Sequence, residues 1–141
     1  MNLVIRTLYG TDINDDFLKT VSALSNTGLT VNQAREVFQS RFGNHIKTYI
    51  AILNGKVVGT ATLLIERKFI HKGAYAAHIE DVAVHPEHQR LGIGSALVKS
   101  LIEEARKNKC YKVILDCFDH VAPFYERMGF RSSSNQMRID L

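Results

Sequence analysis

Asn54-Gly55 lies between two apolar runs, residues 49–53 and 57–65, and this arrangement restricts the chain more than any other feature. Both residue types tolerate the positive φ that a two-residue turn between right-twisted strands demands, so the runs should fold back as an antiparallel hairpin. A hairpin alone is marginal in water and needs further elements to cover its faces. Residues 3–8 suit an opening strand, and residues 76–84 a later one. The all-apolar 113–115 has the composition of a strand covered on both faces. From Asp12, Ile13, Phe17, Val21 and Leu24 recur at helical spacing, up to Gly28, a residue suited to the position just past a helix. Thr30 and Gln33 form a capping box that opens a second helix through Phe38 to about Phe42. Ile93, Leu97, Leu101 and Ala105 mark the buried face of a longer helix, and Arg106, Lys107 and Lys109 suit its negative end. Pro123 fits the first turn of a short helix ending at Gly129, and residues 137–141 would be a last edge strand. The 141 residues are thus expected to form a single α/β or mixed α+β domain, 1–141, with helices on a central sheet.

Composition excludes several classes. With 45% apolar and 23% charged residues, the chain has the make-up of an ordinary globular domain. No apolar run approaches the ~18 residues of a membrane span, and the start lacks the apolar core and cleavage site of a signal peptide. Cys110 and Cys117 make no disulfide framework, which favours a reducing, cytoplasmic compartment. The net charge of +4 is scattered rather than gathered into a stripe. Nucleic-acid binding is therefore not expected, whereas small phosphorylated ligands fit.

The chemistry concentrates between the 76–84 strand and the long helix, at Gln89-Arg90-Leu91-Gly92-Ile93-Gly94-Ser95. Glycines there let backbone approach a ligand closely, and the amides at a helix start attract an anion. A P-loop would need a lysine before the serine at Ser95. A dinucleotide fingerprint would need a third small residue where Leu97 stands, and glycines directly after the strand. Upstream, Glu80 and Asp81 are adjacent acids, which strict alternation sends to opposite faces unless a bulge re-aims one.

Gln-x-x-Gly-x-Gly after Val82-Ala83-Val84 resembles the acetyl-coenzyme A pyrophosphate loop of the GNAT acetyltransferase superfamily. More narrowly, Ile65-Glu66-Arg67-Lys68-Phe69-Ile70-His71, His78-Ile79-Glu80-Asp81, Cys110-Tyr111-Lys112, Leu115-Asp116-Cys117 and Phe124-Tyr125-Glu126-Arg127-Met128-Gly129-Phe130 are similar, in order and spacing, to the glucosamine-6-phosphate N-acetyltransferase family. The resemblance implies a mostly antiparallel central sheet with splayed middle strands and helices on both faces. It implies acetyl-coenzyme A as co-substrate, gripped by Val82, Ala83 and Val84 along the pantetheine arm. Arg90, Leu91, Gly92, Ile93, Gly94 and Ser95 would wrap the pyrophosphate. Tyr125 would protonate the leaving thiolate, since a phenol of pKa ~10 can supply a proton to a sulfur of ~8.5. Asp116 would orient the acceptor amine, with Glu80 and Asp81 ordering the sugar site or a proton-accepting water. Lys68, Phe69, Ile70, His71, Tyr111 and Lys112 would hold the sugar phosphate and hydroxyls, and Ser25 would reach the sugar from the early helices. A homodimer whose second chain completes the sugar site is also implied.

The sequence departs from the family pattern at Val121, in place of an asparagine, at Ser95, in place of a lysine, and at Asp140, in place of a basic residue. His85-x-x-His88 with His71 and His78 lacks metal-ligand spacing and a cysteine partner, so no metal is expected. Asp116 would raise the Cys117 pKa, which argues against a nucleophile there, and Cys110 suits a small buried position. Two other readings stay open: a GNAT enzyme acting on another amine, and a non-catalytic acyl-coenzyme A sensor.

Overall fold

A computed structural model describes residues 2–41, 43 and 45–141. The hairpin is its centre. Asn54 (φ 51°) and Gly55 (φ 83°) turn β2 (Ile46–Leu53) into β3 (Lys56–Arg67), with Leu53 opposite Lys56. Three more strands extend the sheet: β1 (Leu3–Thr7) beyond β2, then β4 (Tyr75–Val84) and β5 (Cys110–Ile114) beyond β3. All neighbours are antiparallel except β4 and β5, which run parallel.

Period-two alternation divides the apolar residues between the two faces of the sheet. Ile50 and Val57 pack with Phe17 and Ala34 under α1 (Asp15–Ser22) and α2 (Val31–Arg41). Their neighbours Ala51 and Val58 join Leu63 and Ile79 against Ile93, Leu97 and Leu101 of α4 (Ile93–Lys107) on the other face. At Gly59 the sheet and α4 meet so closely that an added Cβ would lie 2.8 Å from Leu97 Cδ1, 3.0 Å from Ile93 Cγ2 and 3.3 Å from Ala51 Cβ.

Helix starts follow local chemistry. The Phe17 amide donates to Asn14 Oδ1 at 2.9 Å, with Asp15 and Asp16 in the same first turn. The capping box is present in both directions: the Thr30 amide to Gln33 Oε1 (2.9 Å) and the Gln33 amide to Thr30 Oγ1 (3.2 Å). The expected end of α2 at about Phe42 lies outside the described residues.

Four expectations need correction. α1 ends at Ser22, short of Gly28, because Asn26 and Thr27 bond the amides of Gly28 and Leu29, offering the backbone an alternative to the helix. The helix opened by Pro123, α5 (Ala122–Glu126), is also shorter; the chain then turns and leaves at Gly129 (φ 100°). β5 ends at Ile114 and is not covered on both faces: it is the outer strand, with Tyr111 and Ile114 each 39% exposed. Residues 137–141 form no strand with the described residues. Met137, Ile139 and Leu141 are exposed, and Arg138 pairs with Asp140 at 2.7 Å.

Candidate active site

The conflict posed by Glu80 and Asp81 is resolved by a bulge. Thr62 lies opposite Glu80 and Thr60 opposite Ala83, so Asp81 and Val82 on β4 face Ala61 alone on β3. Asp81 takes a left-handed backbone (φ 53°), an uncommon conformation for a residue with a side chain. The extra residue turns the Asp81 side chain to solvent and leaves Glu80 half-buried. Burial pushes the Glu80 carboxyl above its ordinary range, and the charges of Asp116 and Asp81 add to that shift against the pull of His78. Glu80, Asp81 and Asp116 therefore share one electrostatic neighbourhood, at the exit of β5.

The sheet opens at the same level. β5 follows β4 only as far as His78 opposite Ile114, so residues 79–84 of β4 have no strand beside them on that side among the described residues. Ala83 is buried, with Val82 and Val84 partly so. Below this gap the chain makes a turn at Pro86–His88, passes Arg90 (φ 65°) and Gly92 (φ 80°), and enters α4 at Ile93. Gln89 Nε2 donates to the Val84 carbonyl at 3.3 Å, folding the loop back toward the strand end. The first amides of a helix lack partners within it, so this end of α4 presents N–H groups and positive dipole together. Gly94 is tightly placed: a Cβ there would lie 3.4 Å from Phe124 Cζ and 3.6 Å from Val84 Cγ2. Phe124 of α5 and Val84 of β4 thus both lie close to Gly94.

Tyr125 follows on α5. Its ring is buried, edge-on to Phe124 (centroids 4.9 Å apart) and Phe130 (5.8 Å). Burial pushes its phenol pKa up, with further contributions from Cys117 and Asp116. Cys117 and Asp116, just past the end of β5, thus act on the phenol although the ring belongs to the core.

Around the start of β4 the predicted acceptor residues divide into two groups. His71 stacks on Tyr111 with centroids 4.3 Å apart, and Lys112 Nζ sits 5.5 Å from the same ring. The turn that delivers His71, α3 (Ile70–Gly73), holds His71 (φ 49°) and Lys72 (φ 60°) in successive left-handed conformations. Strain of that kind persists only where the surroundings over-determine it, and Arg67 Nε bonds the Gly73 carbonyl across the turn. Lys68 is engaged elsewhere: its Nζ pairs with Glu66 Oε1 at 3.1 Å, and His78 Nε2 lies 2.9 Å from the same oxygen. Phe69 and Ile70 are exposed. Ser25 lies past the end of α1, exposed, with no hydrogen bond or ring contact to these groups among the described residues.

Glu66 and His78 therefore adjoin Lys68, one of the predicted acceptor residues, although sequence reasoning gave them no role. Their meeting follows from the β3–β4 register, which puts Leu64 opposite His78 and Glu66 two residues further along the same face. Cys117 is exposed and Cys110 only half-buried, its thiol pushed up by burial. Two surface hollows lie away from the gap. One of about 400 Å³ is lined by Tyr9, Arg35 and Phe38, and one of about 330 Å³ by Tyr49, Lys99 and Glu104. A gap running along a strand is open on its length and forms a groove rather than a hollow.

Residues 17–130 match the acetyltransferase (GNAT) family. A glucosamine 6-phosphate N-acetyltransferase of Trypanosoma brucei brucei is 45% identical over 101 residues, covering 72% of this chain and 69% of the relative. That of Candida albicans is 34% identical over 140 residues, 94% of this chain and 91% of the relative. In three dimensions the chain superposes on the crystal structure of glucosamine-6-phosphate N-acetyltransferase from Arabidopsis thaliana with a TM-score of 0.92 and 30% identity, covering 99% of each chain.

Proposed function

The chain belongs to the GNAT acetyltransferase family, and we propose that it moves the acetyl group of acetyl-coenzyme A onto the amine of D-glucosamine 6-phosphate, giving N-acetyl-D-glucosamine 6-phosphate. Residues 1–141 act as one domain in this reading. The observation that carries it is the β4 segment 79–84, which has no strand on its β5 side among the described residues and shares one core cluster with the buried Tyr125 ring.

An extended pantetheine arm has amide donors and acceptors, and it pairs with Val82, Ala83 and Val84 as an added strand would. The amides of residues 90–95 and the positive end of α4 take the pyrophosphate. The neutral amine, oriented by Asp116 with Glu80 and Asp81 around it, attacks the thioester carbonyl carbon. A C–N bond forms, and a backbone amide at the bulge stabilises the oxyanion. Such a donor is worth on the order of 3 kcal/mol. The C–S bond then breaks, the thiolate takes the Tyr125 proton, the amine's surplus proton leaves through the carboxylate cluster to water, and the Tyr125 phenolate regains a proton from water before the next turnover.

The raised pKa of Tyr125 keeps the phenol protonated at neutral pH. It makes a weaker acid but still offers the departing sulfur a hydrogen bond in a desolvated place. His71, Tyr111 and Lys112 meet the sugar phosphate, with Lys68 held nearby on Glu66. Ser25 completes the acceptor site from the α1 side. Exposed apolar groups on the outer strand β5 and the 137–141 tail support a homodimer whose second chain closes the sugar site, in the cytoplasm.

Thiol release from acetyl-coenzyme A with glucosamine 6-phosphate, glucosamine and glucosamine 1-phosphate tests the assignment. Fast turnover is expected with the 6-phosphate only. Equal rates on unphosphorylated glucosamine would remove the phosphate site from the account.

A further inference from the structure

His85 is the residue from which the loop of 85–92 departs, and the chemistry assigned so far leaves it unused. Its side chain is fully buried, and its Nε2 has no hydrogen-bond partner among the described residues. The rest of the residue is fully engaged. Its amide donates to the Val58 carbonyl at 2.7 Å, tying the strand end to β3. Its carbonyl accepts the His88 amide at 2.8 Å, and its Nδ1 accepts the Glu87 amide at 3.1 Å. His88 Nδ1 lies 3.4 Å from that same Nδ1.

These contacts determine the tautomer. An Nδ1 that accepts an amide carries no proton, so the neutral ring is protonated at Nε2, and His88 is the donor of the pair. A second proton on His85 has only Nδ1 to occupy. There it would break the Glu87 bond and oppose the His88 N–H, and no new acceptor would compensate. We propose that His85 is a positioning residue for the coenzyme: its buried neutral ring holds the turn that aims the amides of residues 90–95, and protonating that ring releases the turn. The proposal rests on the coenzyme site assigned above.

The surroundings agree. Burial pushes the His85 pKa below the ordinary histidine value. Lys19 on α1, Lys56 on β3 and His88 on the turn push the same way, and Glu87 opposes them. Lys56 is itself shared with Asp16 of α1 at 3.6 Å. A histidine with a depressed folded pKa binds its proton more readily when unfolded. Its contribution to stability is therefore complete above the unfolded value of ~6.5 and is lost progressively as pH falls below it.

Coenzyme A binding measured by calorimetry on the intact protein tests this, at ~pH 8 and ~pH 5.5, either side of that ordinary value. The wild type, His85→Asn and His85→Leu are compared, with a thermal midpoint taken for each. Asparagine can accept the Glu87 amide but does not titrate; leucine does neither. In the wild type the dissociation constant should rise at the lower pH, by less than the roughly tenfold that one proton on a histidine of ordinary pKa would give over this interval, because the folded value is depressed. His85→Asn should bind within about threefold of wild type at the higher pH and lose most of that rise. The ligand's own phosphate titrates near ~6 in every case and cancels between proteins. His85→Leu should bind weakly at both values.

An asparagine variant with the wild-type pH dependence would overturn the proposal. So would a leucine variant with a lower midpoint but unchanged affinity, which would mark His85 as merely structural. If leucine prevents folding, the asparagine comparison decides alone. Coenzyme A binding needs no acceptor sugar, so failure of the substrate assignment leaves this result separate.

Discussion

At the scale of single residues, the site is built from side chains in unfavourable circumstances. Asp81 sits in a left-handed backbone, Glu80 is half-buried among other acids, and Tyr125 places a phenol in the core. Each costs stability and each is held by its neighbours. For Tyr125 the consequence is measurable: Tyr125→Phe keeps the Phe124 and Phe130 contacts and removes only the hydroxyl. Its kcat should fall roughly 100-fold, the lower range for loss of a positioned acid, while KM for either substrate changes little. An unchanged kcat would assign the ring to packing alone. The adjacency of Glu80 and Asp81 was visible in the sequence as a conflict with alternation, and a bulge was the available remedy. Glu66 and His78 were not legible as partners, because their meeting depends on a strand register that no local pattern states.

At the scale of elements, the seam between β3 and α4 holds the loop in place. Gly59 allows Leu97 and Ile93 to press on the sheet, and α4 begins with the amides that face the gap. Gly59→Ala would force a Cβ into that seam. Overpacking of this kind costs roughly 1–3 kcal/mol, and the expected outcome is a lower chemical-denaturation midpoint with weaker acetyl-coenzyme A binding. A variant as stable as wild type would show that α4 shifts freely. The hairpin, the capping box and the face of α4 were all legible, because turn chemistry, caps and periodicity are local. α1 and β5 were legible only in part. Asn26 and Thr27 truncate α1 by accepting the amides of Gly28 and Leu29, and three apolar residues in a row cannot reveal that their strand is outermost.

At the scale of the whole molecule, two clusters share one sheet, with β1 and β5 at its margins. Ile114 on β5 and the 137–141 tail leave apolar surface open, which a second copy would cover. Sedimentation should give twice the 15.9 kDa of one chain, and Ile114→Lys should shift it toward one. Wild type sedimenting as a single chain at micromolar concentration would dismiss the second copy and with it the shared sugar site. The tail, expected to be an edge strand, does alternate apolar and polar residues. Alternation marks a strand's faces but does not say which neighbour it joins.

The break in pairing after His78 has one more consequence. On the proposed reading, the missing neighbour of β4 is supplied by the acetyl donor itself, so the sheet is finished only while that donor is present. Binding to the folded form alone adds about 2.7 kcal/mol when free ligand stands at a hundred times its dissociation constant. A cell starved of activated acetate would then not merely slow this enzyme but expose it to proteolysis, and its abundance would follow the supply it draws upon.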